Sequence, residues 1–226
     1  PTILDNKIVD STAIDSLTFT LYTYPFFNKT YYVRAYLTSS NGTIYSQEVS
    51  FTLWMNYLDE SVTDYDGNTY STVRIGNQTW MTENLKVTHY ANGDPIPQLS
   101  LDNDAEWLTT TSGAYCDYAD NSDNGNTYGH LYNWYAVNDA RGICPAGWHV
   151  PSKEEWETLI NYLGGIYVAG GNLKATGTQY WKSPNYGATN VSGFNGLPCG
   201  IRSSNISSPS YTYYVAMGYQ GYWWIR

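Results

Sequence analysis

The side chains best suited to chemistry in this chain are three histidines (His89, His130, His149), three cysteines (Cys116, Cys144, Cys199) and two clusters of carboxylates. Glu154, Glu155 and Glu157 could supply an acid and a base. They fall near the start of a strong helix, where negative charge favours the helix dipole and faces solvent. His149, flanked by Trp148 and Pro151, fits a structural histidine better than a general base. No Gly-x-Ser-x-Gly elbow is present, which argues against a serine hydrolase. No Cys-x-x-Cys pair is present either, and the histidines lack ligand spacing, which argues against zinc. Hard oxygen ligands gather in Asp117-Tyr-Ala-Asp-Asn-Ser-Asp-Asn-Gly-Asn-Thr-Tyr, where Asp117, Asp120 and Asp123 are the candidates for calcium. An EF-hand loop started at Asp120 reaches Leu131 at its twelfth position, where a bidentate glutamate is required. A solvated polar loop is the expectation there, calcium the alternative, and no other cofactor is implied.

Binding chemistry is better represented. Tyr (24) and Trp (9) dominate the aromatic residues, and only 14% of residues are charged. Such rings bury apolar area yet keep a polar edge, and with Ser, Gly and Asn they form the palette of a contact surface. The stretch Ser203 to Trp224 is the richest in them. Tyr211, Tyr213, Tyr214, Tyr219 and Tyr222 are the expected ligand contacts, joined by Trp223; Trp223 and Trp224 are also expected to be partly core. The net charge of −9 repels phosphate backbones and anionic lipids, so nucleic acid and membrane surfaces are not expected partners. No apolar run reaches the length of a membrane span. No basic-then-apolar leader follows Pro1, so the chain is expected to begin internally. Three cysteines permit at most one internal bridge, and the sequence leaves its pairing open.

The elements that would position these residues begin as strands. Leu17 to Tyr24 alternates apolar and polar, the period of a half-buried strand. Thr30 to Thr38 and Ile44 to Leu53 flank Asn41-Gly42, the strongest short hairpin signal. After a linker at 55–61, two more hairpins turn at Asp66-Gly67 and Gly76-Asn77, with strands at Thr69 to Ile75 and Gln78 to Met81. Val87 to Gly129 is loop-rich, with a short helix expected near Ala105-Glu-Trp-Leu. Leu131, Trp134 and Tyr135 have helical spacing. Ser152 to Leu163 is the best helix: Ser152 and Glu155 form a capping box, Trp156, Leu159, Ile160 and Leu163 make an apolar stripe, and Gly164-Gly165 ends it. A loop or short helix follows at Gly170.

Several separated phrases carry a family resemblance: Ile75-Gly-Asn-Gln-Thr-Trp-Met-Thr-Glu-Asn-Leu-Lys, Gly129-His-Leu-Tyr-Asn-Trp-Tyr-Ala-Val-Asn, Cys144-Pro-Ala-Gly-Trp-His-Val-Pro-Ser-Lys-Glu-Glu-Trp, Trp181-Lys-Ser-Pro-Asn and Gly187 to Pro198. Residues 62–226 resemble the Fibrobacter succinogenes major paralogous domain, a family of secreted bacterial modules. The resemblance implies an α+β, C-type-lectin-like or formylglycine-generating-enzyme-like domain with long loops and about two helices. It also implies further strands, one bearing a cysteine, beyond Tyr222-Trp-Trp; Cys144 would otherwise meet Cys199, or nothing. Residues 1–54 resemble the closing strands of a fibronectin type III domain, a partial all-β sandwich in which Tyr31 or Tyr32 would make the tyrosine corner.

The function these resemblances imply is a non-catalytic adhesion or binding module at the bacterial cell surface, gripping a glycan or protein. One alternative is a fibre subunit joined to copies of itself by strand addition; another is a degenerate formylglycine-generating enzyme. Asn-x-Ser/Thr sequons at Asn28, Asn41, Asn77, Asn190 and Asn205, and Asp10-Ser-Thr and Asp15-Ser-Leu, which resemble the Bacteroidetes O-glycosylation pattern, are weak signals of a glycoprotein.

Overall fold

A computed structural model describes residues 29–40, 42–53, 61–205 and 208–226. The strand expected at Leu17 to Tyr24, and the linker at 55–61 apart from Ser61, lie outside the described residues.

The chain enters as one interrupted hairpin. Its strands are Lys29–Val33 (β1), Tyr36–Ser39 (β2), Gly42–Tyr45 (β3) and Val49–Leu53 (β4). β2 pairs antiparallel with β3 from Ser39↔Gly42 to Tyr36↔Tyr45, and β1 with β4 from Val33↔Val49 to Lys29↔Leu53. The ladder begins at Ser39↔Gly42, with Gly42 in the strand; Asn41 of the expected Asn41-Gly42 turn lies outside the described residues. Between the two ladders, Arg34 and Ala35 stand opposite Ser46, Gln47 and Glu48, one residue more on the second side, as in a bulge. Ser46 compensates: its N–H donates to Ala35 O (2.9 Å), and its hydroxyl accepts from Ala35 N (3.0 Å).

Four short strands follow: Val62–Thr63 (β5), Thr69–Tyr70 (β6), Thr72–Ile75 (β7) and Gln78–Met81 (β8). β5 pairs with β6 and β7 with β8. The first turn is held by the Asp64 carboxylate, which accepts from Asn68 N (2.9 Å), Asn68 Nδ2 (2.9 Å) and the buried Tyr70 hydroxyl (2.5 Å). Burial, then this hydrogen bond to Asp64, raises the Tyr70 pKa far above its ordinary value. In the second turn Gly76 adopts φ +64°, open to glycine without strain.

The expected short helix is Asp104–Thr109 (α1), after which Tyr115–Cys116 (β9) pairs with Leu131–Tyr132 (β10). Between those strands, the segment expected to be a solvated loop contains a helix, Ser122–Tyr128 (α2). Its residues are poor helix formers. Capping and anchoring override propensity: Asn121 Oδ1 accepts from Asp123 N (2.9 Å), and Asn124 Nδ2 donates to Tyr118 O (2.9 Å).

Leu131, Trp134 and Tyr135 do not form one helical stripe. Leu131 is in β10, and the helix is only Trp134–Val137 (α3), capped by Asn133. It buries Ala136 and Val137 while Trp134 and Tyr135 stay exposed.

The best expected helix is Lys153–Tyr162 (α4), with both hydrogen bonds of the Ser152–Glu155 capping box present. Leu159 and Leu163 are buried, with Trp156 and Ile160 packed beside them. Gly165 N returns to Ile160 O (2.9 Å), closing the helix. Ala169–Leu173 (α5) and a final hairpin, Ile201–Asn205 (β11) with Ser208–Val215 (β12), complete the chain.

The architecture is mixed α+β: small two-stranded antiparallel sheets, five short α-helices rather than about two, and long loops among the described residues. One core joins Val73, Ile75 and Trp80 of the β7–β8 hairpin to α4, α5 and Phe194. A second gathers Val87, Tyr90, Ile96, Tyr115, Tyr132, Val137 and Ile143. No helix among the described residues is long and apolar enough to cross a membrane.

The rim of the second core is pinned by ion pairs. Arg141 reaches Asp139 (2.7 Å) and Asp94 (2.9 Å) and lies over the Tyr90 ring, 3.8 Å from its centroid. Hydrogen bonds from Arg141 hold the Asp139 carboxyl at about 2, below its ordinary 3.8. A depressed carboxyl stabilises the fold fully above its unfolded pKa and loses that contribution as pH falls through the folded one. Melting temperature is therefore expected to hold from neutral pH to about pH 4 and to fall towards about pH 2. Thermal melts of wild type and Asp139→Asn should show a shallower acid fall in the variant; parallel curves would remove this pair from the account.

Candidate functional site

The β7–β8 hairpin, α4 and the carboxy-terminal segment meet around a cleft of about 820 Å³. The chain reaches it from several directions because the signature phrases fold towards one another. Gln78 Nε2 donates to Glu155 O (3.0 Å), tying β8 to the first turn of α4. Trp223 Nε1 donates to Asn84 Oδ1 (3.0 Å), and Asn84 Nδ2 donates to Tyr128 O (2.8 Å). Trp224 Nε1 donates to Tyr132 O (3.1 Å).

Aromatic rings form one wall. The Trp80 and Trp156 centroids are 4.9 Å apart, and Phe194 meets Trp80 edge-on at 5.9 Å. Trp223 closes the group at 6.0 Å from Trp156 and 5.7 Å from Phe194. Tilted and edge-to-face pairs at these distances suit the ring quadrupoles. The indole nitrogens of Trp80 and Trp156, both cleft-lining residues, are buried without an acceptor among the described residues. A buried donor left unpaired costs free energy; both nitrogens are covered by the packing and belong to the inside of the wall, not to its open face.

Polar groups border the wall. His149 Nε2 lies 2.8 Å and 2.9 Å from the two Glu155 oxygens. Hydrogen bonding from Ser152 N outweighs burial and, with His149, lowers the Glu155 pKa. The carboxylate is thus committed to the cap and its histidine. His130 lines the cleft with Nδ1 2.7 Å from Asp117 Oδ1. Cys144 and Cys199 also line it. Burial pushes the Cys144 thiol up to about 11 and raises the Cys199 thiol, so both stay protonated at neutral pH.

Of the five expected ligand contacts whose side chains are described, Tyr222 and Trp223 line this cleft. Trp223 is half-buried against the aromatic wall, as a partly core residue should be. Tyr213 is exposed on β12, and Tyr219 is exposed away from the cleft. Tyr214 is engaged instead with Asp120, donating its hydroxyl to Oδ1 (2.6 Å), and packs on Tyr118. The side chain of Tyr211 lies outside the described residues.

The three calcium candidates do not converge. Asp117 is buried and takes His130 and Gln98. Asp120 accepts from Leu101 N (3.0 Å) and Tyr214. Asp123 begins α2, where its charge favours the helix dipole. Among the described residues no group of three or more metal-ligating side chains gathers. The cysteine expectation also needs correcting: Cys116, Cys144 and Cys199 are all free, so the Cys144–Cys199 bridge is not formed. Cys199 instead donates weakly to Tyr222 O (3.7 Å).

Sequence reasoning missed Trp80, Trp148, Trp156, Phe194 and His130 as cleft residues. The available signal was that each lies inside or beside a signature phrase, and that those phrases are aromatic although far apart in the chain.

A family model, the Fibrobacter succinogenes major domain, matches residues 73–226, more than half of the chain. No curated protein and no solved structure matches.

Proposed function

We infer function from one premise: this chain belongs to the Fibrobacter succinogenes major domain family. From it we propose a non-catalytic binding module, displayed at a bacterial cell surface, whose aromatic cleft holds a glycan. The observation that carries this reading is the wall of Trp80, Trp156, Phe194 and Trp223 lining a cleft of small-ligand size. Sugar rings offer apolar faces to stack on such rings, and hydroxyls to the polar side chains that border them. The cleft lies within the 300–1,000 Å³ range of small-ligand sites, mostly apolar with a few polar groups, as such sites generally are. Its thiols are protonated at neutral pH and its Glu155 is committed to a helix cap, which supports binding over catalysis.

On this reading residues 62–226 form a C-type-lectin-like head, which the small sheets, long loops and framing helix α4 support. Residues 29–53 are the ribbon of a fibronectin-like stalk; the long antiparallel hairpin supports that assignment.

The test is an array of bacterial, plant and host polysaccharides, followed by calorimetry on any hit. Trp148→Ala and Tyr222→Ala change cleft-lining rings that are not in the buried core. Each is expected to weaken binding about tenfold or more, the loss of roughly 1.4 kcal/mol or more, with unchanged melting. A blank array, or hits indifferent to both variants, would refute the cleft as a glycan site.

A further inference from the structure

One polar group in the cleft is built differently from the rest. His130 lies between strands and helix with its ring 4.6 Å from that of Tyr115 and 6.2 Å, edge-on, from that of Tyr132. Its Nδ1 is held by Asp117, which is 5% exposed and whose other oxygen accepts from Gln98 Nε2 (3.2 Å). Helix α2 packs its bare backbone against the pair. A Cβ at Gly125 would run into the Asp117 carboxylate and come within 3.0 Å of His130 Cε1. Position, ring plane and partner are therefore all set before any ligand arrives.

The chemistry follows from which nitrogen carries the proton. An ionised carboxylate only accepts, so the hydrogen between Asp117 and His130 belongs to Nδ1. In the neutral ring Nε2 is then a lone-pair acceptor. Nε2 has no hydrogen-bond partner among the described residues, and His130 lines the cleft. His130 is thus placed to offer the cleft an acceptor beside the aromatic wall.

We propose that His130 Nε2 accepts a hydrogen bond from a free hydroxyl of a neutral sugar, with Asp117 as the positioning residue that fixes its tautomer. This rests on the glycan reading of the cleft and adds a specificity to it. A sugar whose hydroxyl is capped by methylation cannot donate and leaves Nε2 unpaired, which costs more than the bond itself contributes.

The test uses the whole chain and four probes: cello-, manno-, xylo- and maltohexaose. Long-range proton–nitrogen spectra of wild type at neutral pH should place the His130 proton on Nδ1, and saturation with a binding hexaose should shift Nε2. Asp117→Asn should reverse the tautomer, because the amide donates to Nδ1 and sends the proton to Nε2. His130→Asn keeps a donor for Asp117 and removes the acceptor. Both variants should stay folded by circular dichroism and lose about tenfold in affinity. A wild-type proton on Nε2, or an Nε2 unmoved by a bound hexaose, would overturn the assignment even if the variants failed to fold. A hexaose that still needs Trp148 and Tyr222 but binds both His130→Asn and Asp117→Asn as wild type leaves the glycan site standing and removes His130 from it. If no hexaose binds and the polysaccharide array is blank, the glycan reading falls and this assignment with it.

Discussion

Replacing Arg202 with methionine is expected to cost about 3–5 kcal/mol of folding stability, the range for breaking a buried ion pair from one side. The Arg202 side chain is 1% exposed. Its Nη2 meets Asp104 Oδ1 (2.9 Å) and Ser100 O (3.1 Å), Nη1 donates to Leu99 O (2.5 Å) and Nε to Thr212 Oγ1 (2.7 Å). The guanidinium also lies over the Trp107 ring, 4.3 Å from its centroid. One cation thus ties the β11–β12 hairpin to the loop before α1 and to α1 itself. Asp104 completes the junction by accepting from Thr212 N (2.6 Å), which also occupies a donor on the outer edge of β12. Burial acts against the Asp104 carboxylate, but hydrogen bonds from Thr212 and Arg202 outweigh it and lower its pKa.

Methionine keeps much of the volume and none of the fork, so two carbonyls and a carboxylate lose a partner together. Lysine keeps the charge without the planar fork and should fall between methionine and wild type. Pairing Arg202→Met with Asp104→Leu should recover part of the loss, since removing both charges is far cheaper than removing one. Urea titrations of the four proteins measure this. A loss below about 1 kcal/mol for Arg202→Met would mean that the pair behaves as a surface salt bridge.

The second large effect lies at Leu159. It is fully buried, at the centre of the core that joins α4 to the β7–β8 hairpin. Leu159→Ala is expected to cost about 2–5 kcal/mol, the transfer of the lost methyl groups plus the cavity they leave. Against a typical total of about 5–15 kcal/mol, that is a large fraction. Leu159→Met should cost less than about 1.5 kcal/mol, because volume is nearly conserved. The reach extends to the cleft, since Trp156 sits three residues earlier on the same helix and packs at a tilt against Trp80. Near-ultraviolet circular dichroism, which reports tryptophan packing, should weaken for Leu159→Ala and not for Leu159→Met. Equal melting temperatures for the alanine and methionine variants would show that the site relaxes and the core is not close-packed there.

Local signals in this chain were legible where the physics is local. The Ser152–Glu155 box, the stripe Trp156, Leu159, Ile160 and Leu163, and the Gly164-Gly165 stop all lie within one helix and its ends. The turns at Asp66-Gly67 and Gly76-Asn77 need only backbone freedom and short polar side chains, and each hairpin forms there. Helix α2 was not legible: its residues have weak helical preference, and it exists because Asn121 caps it and tertiary contacts hold its flanks. Helix α3 was legible as helical spacing but not in its extent, because Asn133 caps it only after Leu131 has paired in β10.

The sequence by itself thus determined the hairpins, the main helix, the mixed α+β class and the family. The hairpins and the main helix depend on periodicity, capping and turn chemistry between near neighbours; the family, and the class it implies, rest on the resemblance carried by the separated signature phrases. Tertiary structure alone decided which aromatic residues share a cleft. It drew Trp80, Trp156, Phe194 and Trp223 together and left Tyr213 and Tyr219 outside. It also set Asp117 against His130 and kept Cys144 and Cys199 unbridged. Such outcomes depend on distances between residues far apart in the chain, which hydrophobic packing sets and no local pattern records.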